Sequence, residues 1–347
     1  MDPSVYSRPR TSDNSGGKFL PQFRGKPTMN ISGRRSFFKR GLWALAGLAS
    51  PALGDTASTA RNPKTASSAP PFRLGLVTYE LAKNWDIDTL IKNCETTGFE
   101  AAELRTTHRH GVELGLGKEA RAEVRKRFLD SPVRLLSLGT TCEYHYADAP
   151  AVQAKIEETK RWCELARDLG CLGVKVRPNG FVKDVPQEQT LEQIGNALKK
   201  CGDSARDNGV EIWVEVHGQG TQHPPHMRRM MEIASHGSVG ICWNSNDEDV
   251  VNGAVAEYFE LLRPWLRNCH INELWRNPSP AGGLSGVPPQ QVNPGFPDYA
   301  RPYPYRELFG LLRATGYNRY TLAEVPESCE PIRFMRYYRA LWDQLTG

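Results

Sequence analysis

Four polar side chains stand out by type and setting: Glu215 in Val-Glu-Val-His, Asn244 in Trp-Asn-Ser-Asn-Asp, His270 in Cys-His-Ile-Asn-Glu and Glu324 in Leu-Ala-Glu-Val. Each closes a short apolar run, where burial penalises a polar group that lacks a partner. Two carboxylates, an imidazole and an amide oxygen make a mixed nitrogen and oxygen donor set. Such a set suits Mn²⁺, Zn²⁺, Co²⁺ or Mg²⁺ rather than a thiolate-seeking metal. A divalent ion so held polarises a carbonyl, and a carboxylate beside it removes a proton from the adjacent carbon. A second set stands at similar run ends and can contact a polar substrate: Glu103 with His108 and His110, Lys175 and Arg177, His217, and Asp247. Lys175 and Arg177 alternate with Val174 and Val176, so both point to one face. There an ion pair with Glu215 or Glu103 competes with a substrate role.

These residues need a scaffold that brings distant positions together. Runs at 73–79, 99–105, 134–139, 172–177, 211–216, 239–243, 268–272 and 320–325 read as buried strands. Helical patterns fall between and after them at 86–97, 118–129, 151–169, 190–208, 225–234, 254–262, 305–314 and 332–345. Asp86 caps the first helix and Gly98 closes it, while Gly170, Gly209 and Gly316 close others. Strand-helix alternation without hairpin signals predicts a closed parallel (β/α)8 TIM barrel. An open doubly wound sheet would want a glycine-rich turn after its first strand, and Val77-Thr78-Tyr79-Glu80 is not one. In a barrel the functional groups sit at the C-terminal strand ends. Adjacent strands lie ~4.8 Å apart, so Glu215, Asn244, His270 and Glu324, on consecutive strands, converge.

Composition agrees with one soluble domain. Of 347 residues, 39% are hydrophobic and 24% charged, with a net charge of +5. Much of that excess lies in the first part of the chain, leaving the body near neutral, without the basic face that nucleic-acid binding needs. No run approaches the ~20 apolar residues of a membrane span. None of the 8 cysteines forms a Cys-x-x-Cys pair; Cys94, Cys163 and Cys201 fall within helical patterns and Cys142, Cys171, Cys242 and Cys269 in or beside strand runs, as small buried hydrophobes do. If the protein is exported, a pair of them can still oxidise.

The N-terminal segment reads as an address. Gly33-Arg34-Arg35-Ser36-Phe37-Phe38-Lys39 resembles the twin-arginine export consensus, a weakly apolar stretch follows at 41–53, and Ala-Leu-Gly at 52–54 supplies small residues for cleavage. Residues 1–54 are thus a signal region, 55–71 a linker and 72–347 the barrel. The expected location is periplasmic or cell-envelope, reached through the export machinery. Met29 would make a more typical start than Met1.

With these motifs in place, the body resembles the xylose-isomerase-like barrel superfamily of sugar isomerases and epimerases from Arg73 to Leu345. That resemblance implies a metal held by Glu, Asp, His and Glu from strands five to eight. Glu215, His270 and Glu324 match three positions; Asn244 stands at the Asp position, and one negative charge fewer lowers affinity or shifts preference. Asp247 falls where many members carry a substrate-contacting His. The implied activity is proton transfer through an enediolate on a sugar or keto-sugar. Glu215 and Glu324 would be base and acid, with His217 or Lys175 stabilising the oxyanion. His108, His110, Glu103 and Arg177 would be sugar contacts and Trp275 an aromatic platform. The Pro/Gly-rich stretch after Trp275 is long enough for a lid. The same superfamily includes abasic-site endonucleases, but that stretch lacks their Asp-x-His pair. Two other outcomes stay open: a lyase or hydratase acting on a keto-sugar or glycoside, and a sugar-binding barrel without catalysis. Self-association is compatible with all three. His223, His226 and His236 read as surface or loop histidines without a role, and Trp213 and Trp243 as packing.

Overall fold

The computed structural model describes residues 71–278 and 302–347. The expected export signal and nearly all of the expected linker lie outside the described residues, as does most of the stretch expected to form a lid. The strands are β1 Arg73–Glu80, β2 Ala101–Arg105, β3 Arg134–Gly139, β4 Gly173–Val176, β5 Glu211–Glu215, β6 Val239–Trp243, β7 Leu266–Ile271 and β8 Tyr320–Val325. They pair in parallel in sequence order, and β8 closes back on β1. The helices are α1 Ile87–Thr97, α2 Lys118–Leu129, α3 Ala149–Leu169, α4 Gln187–Asn208, α5 Pro224–Ala234, α6 Ala256–Leu262, α7 Tyr305–Ala314 and α8 Pro331–Thr346. The chain is a (β/α)8 barrel. None of the described helices is long and apolar enough to cross a membrane.

Local chemistry explains the boundaries. The Asp86 carboxylate accepts from the Thr89 backbone N–H at 2.8 Å and starts α1. Gly98, Gly170 and Gly209 end α1, α3 and α4 in the left-handed conformation, which costs a glycine little. Several boundaries shift by two or three residues, two of them as follows. Helix α4 begins three residues early, at Gln187 after Pro186, and β7 begins at Leu266, directly after the short 3-10 turn Arg263–Trp265. Both changes extend an element into a segment whose apolar pattern is weak.

Most of the apolar residues pack between sheet and helices. A smaller group, including Val77, Ala101, Trp213, Tyr320 and Leu322, plugs the inside of the barrel. Trp213 occupies the floor beside Gly173, where a β-carbon would overlap its indole. Its Nε1 donates to Glu211 at 2.7 Å, and Glu211 also receives Arg319 at 2.6 Å. This ion pair braces the N-terminal end, so the floor is packed and the polar layer above it faces the opposite mouth. All eight cysteines are free thiols, seven of them buried and Cys329 exposed; burial pushes Cys94, for example, up to about 12.

Candidate metal centre

Period-2 alternation along the strands sends one column of side chains into the barrel. Above the plug that column turns polar: Glu103 on β2, Lys175 on β4, Glu215 on β5 and His270 on β7 are all essentially buried. A cavity of about 640 Å³ opens above them at the C-terminal mouth. Of the residues expected at the site, Lys175, Arg177, Glu215, His217, Asn244 and Glu324 line it.

His270 organises the centre. Its Nδ1 lies 3.4 Å from Glu215 Oε1 and 3.4 Å from Glu324 Oε2, yet forms a hydrogen bond with neither. Glu215, His270 and Glu324 each offer one donor atom, all within 4.8 Å of one another. Donors bound ~2.1 Å from a tetrahedral ion stand about 3.4 Å apart, so both separations from Nδ1 fit a metal. On the other side, His270 Nε2 is 3.3 Å from Glu103 Oε1, an ionic contact that likewise lacks hydrogen-bond geometry, and Ser137 donates to Glu103 Oε2 at 2.7 Å. A carboxylate behind the far nitrogen of a ligating histidine fixes tautomer and ring orientation.

The charge state follows from neighbours. Burial pushes the Glu215 carboxyl up, but Lys175, donating to Oε2 at 2.6 Å, and His270 outweigh it and hold it well below the usual carboxylate range. Burial opposes the charge on Lys175 as well, and Glu215, Glu103 and Glu324 together raise its pKa. Glu103 is similar: burial raises it, while His270, Lys175 and Ser137 bring it below its ordinary value. Glu273 lies at the wall and goes the other way, because burial raises it more than Arg276 lowers it. Asn244 Oδ1 accepts from the Ser245 backbone N–H at 3.0 Å and from Asn272 Nδ2 at 3.4 Å. As a metal ligand it would share its oxygen with those donors.

Several expected substrate contacts stand elsewhere. Glu103 is 0% exposed and sits beneath the cavity, so its partner is His270 rather than a ligand. His110 is consumed by its own loop: Nδ1 accepts from the Val112 backbone N–H at 3.1 Å, and Nε2 is 2.8 Å from the Arg105 carbonyl. His108 meets Thr78 Oγ1 at 3.1 Å and stacks on Tyr79 just outside the lining. Burial, then His110 and Arg105, push it down to about 4, so it is neutral at pH 7. Asp247 pairs with Arg276, and Trp275 packs edge-on against Phe334 of α8, 6.0 Å between ring centres. Neither lines the cavity. His223, His226 and His236 are half-buried rather than exposed and also stand outside it. Sequence reading assigned no role to Tyr79, Arg105, Gln222, Asn246, Asn272 or Glu273, which line the cavity. Alternation carries the signal for Arg105 and Asn272, each two residues beyond an inward Glu103 or His270.

The family described as xylose isomerase-like TIM barrel matches residues 91–339. No curated protein matches the sequence. Among solved structures, the chain is similar to the IolI protein with a bound zinc atom, at 16% identity and a TM-score of 0.60 over 79% of this chain and 98% of that one. It is similar to 3-keto-D-glucoside 4-epimerase from E. coli at 15% identity and a TM-score of 0.61, over 79% and 99%. L-ribulose 3-epimerase gives 15% and 0.61, over 79% and 94%. At these identities the likeness is one of fold.

Proposed function

The chain belongs to the xylose isomerase-like TIM-barrel family, and from that premise we propose that it is a sugar isomerase or epimerase with a divalent metal cofactor, acting on a sugar or keto-sugar. The observation that carries this reading is His270 Nδ1, which faces Glu215 and Glu324 at 3.4 Å without hydrogen-bonding either. The zinc atom in one structural neighbour and the sugar epimerases among the others support it.

Glu215, His270 and Glu324 would hold the ion, with Asn244 as a neutral fourth donor. When bound, Mn²⁺, Zn²⁺, Co²⁺ or Mg²⁺ supplies Lewis acidity to adjacent carbonyl and hydroxyl oxygens. The protein's own groups do the rest. Lys175 keeps Glu215 ionised, which suits Glu215 to take a proton from the substrate carbon. Glu324 also faces His270 Nδ1 and, once it has taken up a proton from water or from the preceding turnover, gives that proton to carbon. Return to the neighbouring carbon isomerises; return to the opposite face of the same carbon inverts it. His217 Nδ1 is buried without a hydrogen-bond partner among the described residues, which suits it to donate to the enediolate oxygen. Lys175 is taken up by Glu215 and acts through it.

Incubating the protein with keto-sugars in D2O tests the reading by exchange at carbon. Glu324→Gln, which removes a metal donor as well as the proton-returning group, should abolish exchange and leave the fold intact; exchange at the wild-type rate in that variant rules this scheme out. One observation favours a second reading. Glu273, with its raised carboxyl, could protonate a leaving group after the same proton removal, making the enzyme a lyase. An unsaturated product absorbing in the ultraviolet would distinguish it.

A further inference from the structure

Three long cationic side chains line the cavity, Arg105, Lys175 and Arg177. Two are matched by carboxylates. Lys175 donates to Glu215 at 2.6 Å, and Arg177 grips Glu143 Oε1 through Nε at 2.7 Å and Nη2 at 2.6 Å. Arg105 has no carboxylate partner among the described residues. Its Nη1 donates to the Thr106 carbonyl and hydroxyl, both at 2.9 Å, which leaves the Nε and Nη2 edge unused. The side chain is half-buried, and burial, then the charge of Arg177, disfavours its ionised form. Arg105 lines the cavity, and the backbone beside it fits closely around Glu103. The next strand contributes Gly139, paired in register with Arg105 on one side and Lys175 on the other. A β-carbon on Gly139 would lie 3.4 Å from Arg105 Cα and 2.8 Å from Glu103 Oε1.

The geometry points to a substrate that carries its own carboxylate, a sugar acid rather than a neutral sugar, with Arg105 as the residue that selects it. The inference rests on the sugar reading above and narrows its substrate class. A planar guanidinium edge matches a carboxylate with two parallel hydrogen bonds. One unmatched cation balances a monoanion, whereas a phosphate dianion would leave charge uncompensated in a partly desolvated cavity.

Calorimetric titration of the full chain with D-glucuronate, D-glucose and D-glucose 6-phosphate tests this. Glucuronate should bind about tenfold to a hundredfold tighter than glucose, the range of a charge-assisted contact. Arg105→Gln should bring that ratio to about one, and Arg105→Lys should retain part of it. Equal binding of glucose and glucuronate by the wild type, or a preference that survives Arg105→Gln, overturns the inference and leaves the sugar reading standing. Tightest binding of glucose 6-phosphate overturns the choice of a monoanion. Binding of none of the three overturns both. If Arg105→Gln does not fold, the wild-type ratio and its decline with added salt decide the matter.

Discussion

At the scale of single residues, the centre depends on groups that never touch substrate. Glu103 lies behind His270 and sets which imidazole nitrogen faces the cavity. Glu103→Gln should weaken zinc or manganese binding about 10- to 100-fold, the usual cost of losing such a partner, and equilibrium dialysis reads it. Unchanged affinity would mean that His270 is oriented by packing alone. Lys175 and Glu215 form a buried pair whose side chains are 4% and 3% exposed. Lys175→Met leaves the buried Glu215 with His270 as its main compensation and should cost about 3 kcal/mol in urea unfolding. The pair also sets a pH window. Glu215 is depressed in the folded state, so its contribution is complete above the ordinary value of 4.5 and lost as pH falls towards the folded value. Lys175 is raised, so its contribution is complete below 10.5 and lost as pH rises past it. Metal-free protein should therefore lose stability at both ends, and Lys175→Met should flatten both limbs; a wild-type-like profile in the variant would refute this.

At the scale of elements, the barrel positions the site through alternation and through glycines. Trp213 fills the floor because Gly173 on the adjacent strand has no β-carbon. Gly173→Ala forces that indole to move and should destabilise the protein by about 1–3 kcal/mol, measurable by thermal unfolding. Period-2 alternation made Glu215, Asn244 and Glu324 legible in sequence, since each lies where an apolar run should point inward. It gives a face but not a depth, which is why Glu103 read as a substrate contact although it stands a layer below the cavity. Beyond the strand ends alternation lapses. Asp247 and Trp275 fall in 3-10 turns, where side-chain direction depends on tertiary partners, here Arg276 and Phe334. His110 was illegible for a related reason, because its loop uses both ring nitrogens to close on itself.

At the scale of the whole molecule, eight strand-helix units were legible because parallel strands covered on both faces read as continuous apolar runs, and capping residues punctuate the helices between them. The export signal proposed from the N-terminal sequence belongs to the same scale. Replacing Arg34 and Arg35 by Lys should retain the protein in the cytoplasm, which fractionation and N-terminal sequencing would reveal; export undiminished in that variant would remove the twin-arginine reading. The central claim is that Glu215, His270 and Glu324 together hold one metal ion. Elemental analysis of the purified protein beside Glu215→Ala and Glu324→Ala variants tests it most directly. About one divalent ion per chain is expected in the wild type, and loss of that ion in both variants. A well-folded wild type that binds no divalent ion when one is supplied, or variants that keep it, would contradict the account.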